Sequence, residues 1–303
     1  FYRSDSLQLP AGRQYQLRIT TASNATYESA PAPLKVTPPI DKLAWQLRDG
    51  RISILLDTHD ASAQSRYYRW KLVETWQFHT LAESRLEYFP NPAPGRSNFG
   101  QRTTPIYTCW RTEQPTTINQ GTSAGLSQDA LTNTVITSFS DRAERVEARY
   151  SVLVSQLAET AEEFAYLELL RKNTEAVGTV NDPLPTQLTG NVHRVDNASE
   201  PVLGFVGAHT VQQQRLFIDS TQLPYLDFYQ YDTPYKDCQV STQYFCDDKG
   251  VCDADGVLKL FTSPTNIPLE YIGDPVYGLG ITSATADCAD CRTRGTTTKP
   301  SFW

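Results

Sequence analysis

Apolar and polar residues alternate along much of the chain, and the alternation predicts a mainly β protein. Leu43, Trp45 and Leu47 alternate with polar neighbours, Asp49-Gly50 follows, and Ile52, Ile54 and Leu56 alternate again. A period of two marks a half-buried strand, and Asp-Gly suits a two-residue type I′ turn, whose central residues both take positive φ. Such a loop sets Leu47 opposite Ile52, Trp45 opposite Ile54 and Leu43 opposite Leu56. Turn and pattern therefore agree on one register, with all six apolar side chains on one face. A long strand is predicted over Arg66–Phe78, with Tyr68, Trp70 and Leu72 on one side. Two strands followed by an aromatic-bearing third open many immunoglobulin-like and fibronectin-like sandwiches.

The flanking segments are less regular. Tyr15, Leu17 and Ile19 alternate after a turn at Gly12, which predicts a half-buried strand. Ser29 to Pro39 carries Pro31, Pro33, Pro38 and Pro39 and reads as an edge strand running into a stiff linker. On this reading residues 1–39 are the C-terminal part of a truncated immunoglobulin-like β domain, and 40–303 form the main β-rich domain. Residues 86–105 read as irregular. Further strands are predicted at Val135–Phe139, Val146–Val154, Val192–Val195, Val202–Ala208 and Gln214–Asp219.

One clear helix is predicted near 161–176. Thr160-Ala-Glu-Glu163 is a capping box, in which the Thr160 hydroxyl accepts from the N3 amide and Glu163 reaches back. Phe164, Leu167 and Leu170 form its apolar stripe, Arg171 and Lys172 suit its C-terminal dipole, and Gly178 closes it. Asn181 to Pro185 reads as a loop. From Leu223 onward tyrosines, cysteines and turn residues prevail, so 223–303 is expected to be disulfide-stapled loops. The expected fold class is mainly β with α: immunoglobulin/fibronectin-like β-sandwich modules, then a mixed, disulfide-stapled C-terminal region with one clear helix.

Composition narrows the function. The 303 residues are 39% hydrophobic, enough for a sizeable core. A net charge of −7 argues against a nucleic-acid partner, which calls for a basic face. No apolar run is long enough to span a bilayer. The chain starts Phe1-Tyr2-Arg3 and has no methionine, which reads as a processed or partial product. Its six cysteines are Cys109, Cys238, Cys246, Cys252, Cys288 and Cys291. An even number predicts disulfides, and the turn Asp-Asp-Lys-Gly-Val makes Cys246 and Cys252 the favoured pair; the other pairings stay open. Cys288-Ala-Asp-Cys291 also has the spacing of a redox motif. A reactive pair normally opens a helix, and the tail after Cys291 is a poor helix former, so structural bonds are the stronger reading. Oxidised cysteines imply an exported protein.

Candidate chemistry is thin. Asp247, Asp253 and Asp255 crowd a glycine-bearing loop and are calcium candidates, because hard cations need converging carboxylates. No bidentate glutamate follows at the required distance, and a solvated acidic turn is the plainer reading. The four histidines show no metal spacing, and no HExxH, GxSxG or glycine-rich phosphate loop occurs. No catalytic residue and no cofactor is expected. Tyr229, Tyr231, Tyr235 and Tyr244 lie in a loop-rich stretch and are candidate interface anchors. The alternative is that they pack a stapled region poor in aliphatics.

Several blocks resemble a known family. Tyr67-Tyr68-Arg69-Trp70 with Glu74-Thr75-Trp76-Gln77-Phe78 resembles the central block of a Bacteroidota lipoprotein family labelled domain of unknown function 4249. Tyr150–Gln156, Lys172–Glu175, Asp182–Pro185, Gly190-Asn191 and Val202–Phe205 fit it too, and the tail with Cys288-Ala-Asp-Cys291 and Lys299–Trp303 resembles the family's ending. The resemblance implies an exported outer-membrane lipoprotein, anchored by lipid outside the numbered chain and facing the cell surface. It also implies a partner, a β-barrel of the TonB-dependent transporter type. The expected role is a non-catalytic binding accessory that captures substrate or covers the barrel mouth. The alternative is a structural or assembly subunit of an outer-membrane secretion or barrel-biogenesis complex. An enzyme acting on glycan or peptide has the weakest support.

Overall fold

The Asp49-Gly50 hairpin forms as its sequence requires. Ile40–Arg48 pairs with Arg51–His59 in the register Leu43 with Leu56, Trp45 with Ile54 and Leu47 with Ile52. Asp49 has φ 51° and Gly50 φ 71°, the two positive values of a type I′ turn. Gly50→Val places a β-branched residue in the left-handed region and is expected to cost about 1–2 kcal/mol, read from a urea titration.

The computed structural model describes residues 7–175, 188–197 and 199–303. It is mostly β, with several sheets and three helices: α1, Ala161–Glu175; α2, Ala254–Leu260; and α3, Ala286–Ala289. Two compact units interleave along the chain. One comprises Phe1–Val73, Gln114–Phe139 and Val152–Leu216, the other Glu74–Glu113, Ser140–Ser151 and Phe217–Trp303. The boundary expected at 39 and 40 falls inside the first unit.

In the first unit the strands Ala130–Ser140, Arg51–His59 and Ile40–Arg48 form one sheet in that order. Ile52, Ile54 and Leu56 are fully buried on its inner face. A second layer contributes Tyr68, Trp70, Val152 and Val154, also buried. Gln156 bridges the layers. Its Nε2 donates to Thr58 Oγ1 and Pro38 O, both at 2.9 Å, while its Oε1 accepts from Trp70 Nε1 at 2.9 Å. Inward-facing alternation on two sheets is the organisation of a sandwich.

Three expectations in this unit are corrected. The half-buried strand around Tyr15 to Ile19 is two short pieces, Gln14–Tyr15 and Arg18–Thr20, and Leu17 and Ile19 are exposed. Each piece pairs with a different neighbour, so neither gains a buried face. Ala32–Lys35 is no edge strand: it pairs with Gln14–Tyr15 on one side and Ala208–His209 on the other. The stretch after it is a packed seam rather than a linker, for Thr37 is buried, and its hydroxyl accepts from Ala158 N at 2.9 Å. Val202–Ala208 is extended only at Ala208–His209, since Gly204 takes φ 145° and interrupts it. The predicted strand Val192–Val195 matches Val192–Arg194, and Gln214–Asp219 matches Gln212–Asp219. Gly178 and the Asn181–Pro185 loop lie outside the described residues.

In the second unit, residues 86–105 are not wholly irregular. Leu86–Tyr88 pairs with Phe99–Gln101, and Phe99 packs edge-on against Phe261 at 5.2 Å. The strand expected from Val146 begins at Arg149, because Val146 lies in a 3₁₀ turn over Glu144–Val146. The stapled loops expected after Leu223 contain a sheet, ordered Ser241–Tyr244, Gly278–Thr285 and Asn266–Asp274. They also carry α2 and α3. Leu86, Phe99, Val257, Phe261 and Ile281 form the core there.

Candidate functional site

The first turn of α1 supplies the centre of the candidate site, within the first unit. Thr160 Oγ1 accepts from Glu163 N at 3.1 Å, so half of the expected capping box is present. The Glu163 side chain does not reach back to the cap. It lies 3.1 Å from Arg69 Nη2 and 3.0 Å from His209 Nε2. Glu163 is therefore the buried residue of α1, whereas Phe164, Leu167 and Leu170 are only half-buried. Gly207 passes against this pair, and a Cβ there would strike both His209 Nε2 and Glu163 Oε2.

Arg69 joins the second carboxylate. Its Nε is 2.8 Å from Glu159 Oε1, an ion pair whose angle is poor for a hydrogen bond. His209 Nδ1 lies 2.6 Å from Ala158 O, which only accepts. Nδ1 therefore donates there, and Nε2 faces the Glu163 carboxylate. The carboxylates thus face a guanidinium and an imidazole, as buried charges must be paired.

Burial pushes the Glu159 carboxyl above its ordinary value, against the opposing pull of Arg69. An acid raised on folding contributes stability that is full below its unfolded value, 4.5, and fades as pH rises through the folded one. Glu159→Gln lacks that loss. Its stability relative to the parent is expected to rise as pH climbs above 4.5. Urea midpoints across that range check this, and a flat difference would contradict it.

Gln120 connects these charges to a cavity of about 280 Å³ beside α1. Its Nε2 donates to Glu159 Oε2 at 2.7 Å and to Phe164 O at 3.3 Å. Its Oε1 is buried without a partner, a condition that costs about 1–3 kcal/mol. Trp70, Asn119, Val135, Phe164, Glu168 and Arg171 line the same cavity. A larger one, about 670 Å³, lies along Pro33–Pro39 and His59–Ser65. Its polar groups are engaged: Asp60 accepts from the Ser62 and Gln64 amides, His59 meets Asp41 at 2.7 Å, and Lys35 donates to Gln64 O. The unsatisfied acceptor marks the cavity beside α1, and Trp110 Nε1, likewise without a partner, marks another of about 510 Å³ in the second unit.

Residues expected from sequence lie in the second unit. The cysteines are bonded as Cys109–Cys291, Cys238–Cys288 and Cys246–Cys252, leaving none free. Cys288 and Cys291 are not joined to each other, so no redox pair exists there. Asp247 Oδ1 accepts from Lys249 N at 2.9 Å and Val251 N at 2.8 Å, shaping the turn. Asp253 Oδ1 caps α2 by accepting from Gly256 N at 2.8 Å. Among the described residues no group of three or more His, Cys, Asp or Glu is placed to hold a metal, Asp247, Asp253 and Asp255 included.

The interface tyrosines divide. Tyr229 is 66% exposed, and Tyr244 stacks on Tyr277 at 4.9 Å. Tyr231 and Tyr235 are buried, which removes them as surface anchors. Tyr235 stacks on Phe78 at 6.3 Å beneath the Arg294 guanidinium and fills a core with few aliphatics. Sequence reasoning missed Gln120 and the roles of Arg69, Glu163 and His209. A signal existed for Arg69 alone: it alternates with Trp70 and so points to the opposite face of its strand.

Fold and bonding together define a mainly β, disulfide-tied protein with a helix-flanked cavity in its sandwich unit. The chain belongs to the family described as a domain of unknown function, DUF4249, whose model matches residues 1–215. The matched span stops short of the tail blocks at 288–303. No curated protein and no solved structure matches the chain.

Proposed function

We propose that this chain is an exported lipoprotein of a Bacteroidota outer membrane. It acts without catalysis as a binding accessory to a TonB-dependent barrel, capturing substrate or covering the barrel mouth. A lipid outside the numbered chain holds it to the membrane, at the cell surface. The pairing of all six cysteines carries the reading, because such bonds persist in oxidising compartments and not in a reducing cytosol. The cavity beside α1 supports a binding role, since it sets Ile136 and Phe164 beside the polar groups of Asn119, Gln120 and Glu168. Affinity capture from detergent-solubilised outer membranes tests it. Recovery of a stoichiometric β-barrel partner is the expected result, and capture of no barrel overturns the reading.

A further inference from the structure

We propose that the cavity at Arg102, in the second unit, takes a small monocarboxylate, either a free acid or the carboxyl end of a chain. The site stands apart from the barrel role above. The cavity holds about 290 Å³, and Glu83, Ser84, Arg102, Pro105 and Tyr107 help to line it. Arg102 directly follows the strand Phe99–Gln101, and its amide donates to Arg85 O at 2.8 Å, which fixes the backbone there. Its Nε donates to Ser84 Oγ at 2.8 Å, and that buried hydroxyl is itself held by Pro268 O at 2.7 Å. These contacts orient the guanidinium through a neutral group and supply no counter-charge.

Among the described residues this half-buried cation has no ion-pair partner, and its Nη1 and Nη2 have no protein acceptor and stay open to solvent. The charges around it are engaged with one another: Arg85 lies 3.3 Å from Glu83 and Arg292 2.6 Å from Asp290. Burial pulls the Arg102 guanidinium below its ordinary value, and Arg292 adds a like charge, while Glu87 and Asp290 oppose both from beyond ion-pair distance. An oxyanion on the free side of the fork supplies the missing charge. Tyr107 adds a hydroxyl that, among the described residues, also lacks an acceptor. One unpaired positive charge matches one negative charge, whereas a phosphate dianion would carry excess charge beside Glu83. The planar fork meets the two oxygens of a carboxylate side by side. The volume lies at the low end for small-molecule sites, and Pro105 with the Tyr107 ring, stacked on His79 at 5.0 Å, offers a wall to a short apolar body.

The test uses the intact, oxidised chain, isotope-labelled and followed by its amide resonances. It is titrated with sodium butyrate and benzoate, their neutral amides, inorganic phosphate, and an N-acetylated peptide with a free or an amidated C-terminus. Saturable shifts at Gln101, Arg102 and Tyr107 are expected with at least one carboxylate and with none of the amides. Arg102→Gln is expected to weaken binding roughly tenfold or more, and Tyr107→Phe about threefold. Arg96→Gln, a cation of the same unit outside the cavity wall, is expected to bind as the parent does. Circular dichroism and urea midpoints confirm folding of each variant; Tyr107→Phe keeps the stacked ring and carries the test if Arg102→Gln does not fold. Binding of the simple acids identifies a free acid as the ligand, and binding of the free-ended peptide alone identifies a chain end; either upholds the site. Tighter binding of phosphate, equal binding of the amides, no saturable shift, or binding that neither substitution weakens overturns the assignment.

Discussion

Glu144→Leu is expected to destabilise the second unit by about 3 kcal/mol, the lower end for breaking a buried ion pair. Glu144 is buried and receives Arg294 as a fork, Nη1 to Oε1 at 2.6 Å and Nη2 to Oε2 at 2.8 Å. Thr233 Oγ1 donates to it at 3.1 Å and Trp76 Nε1 at 3.4 Å. Removing the carboxylate strands a guanidinium packed over Phe78 and Tyr235. Arg294 keeps some contact with water, which is why the lower end applies. Chemical denaturation measures the loss. Glu144→Leu with Arg294→Met removes both charges and is expected to recover much of it. A double variant as weak as the single one would show that packing, not the unpaired charge, sets the cost.

The three disulfides are expected to rank by the chain each one closes. Cys109–Cys291 spans 182 residues, Cys238–Cys288 spans 50 and Cys246–Cys252 spans 6. On the chain-entropy account these bonds contribute about 5, 4 and 2 kcal/mol when taken singly. Paired Cys→Ala replacements, compared by urea midpoint, check the order. Loss of Cys109–Cys291 is expected to fall hardest, since the bond also holds the segment in which Trp110 N donates to Thr296 O at 2.8 Å and Thr296 N donates back at 3.0 Å. If the Cys246–Cys252 replacement proves as damaging, loop closure is not what these bonds supply.

What could be read from sequence follows from how local each determinant is. The Asp49-Gly50 hairpin was legible because turn chemistry and alternation sit within a few residues of each other. The C-terminal sheet was not: Ser241–Tyr244 reads STQY and Gly278–Thr285 reads GLGITSAT, with little alternation between apolar and polar. Their pairing comes from long-range register, including a shift between Pro268 and Tyr271 that no local pattern announces. In α1 the apolar residues suggested a buried stripe, yet the residue taken deepest is Glu163, whose partners are remote in sequence. The candidate site has the same character. Arg69, Gln120, Glu159 and His209 stand far apart along the chain, and only strand pairing and the first turn of α1 bring them together. Cysteine count and parity gave the oxidised state directly, because that inference needs no geometry.

The bond between Cys109 and Cys291 also sets an order of events during biosynthesis. Its second sulfur arrives 182 residues after its first, and the partner of Cys238 arrives just before it. A polypeptide interrupted between 252 and 288 therefore carries two unpaired thiols, Cys109 and Cys238, which are both bonded here. Thiol labelling would thus distinguish chains that carry Cys288 and Cys291 from those interrupted before them, and the same unpaired groups offer quality control a mark to act upon.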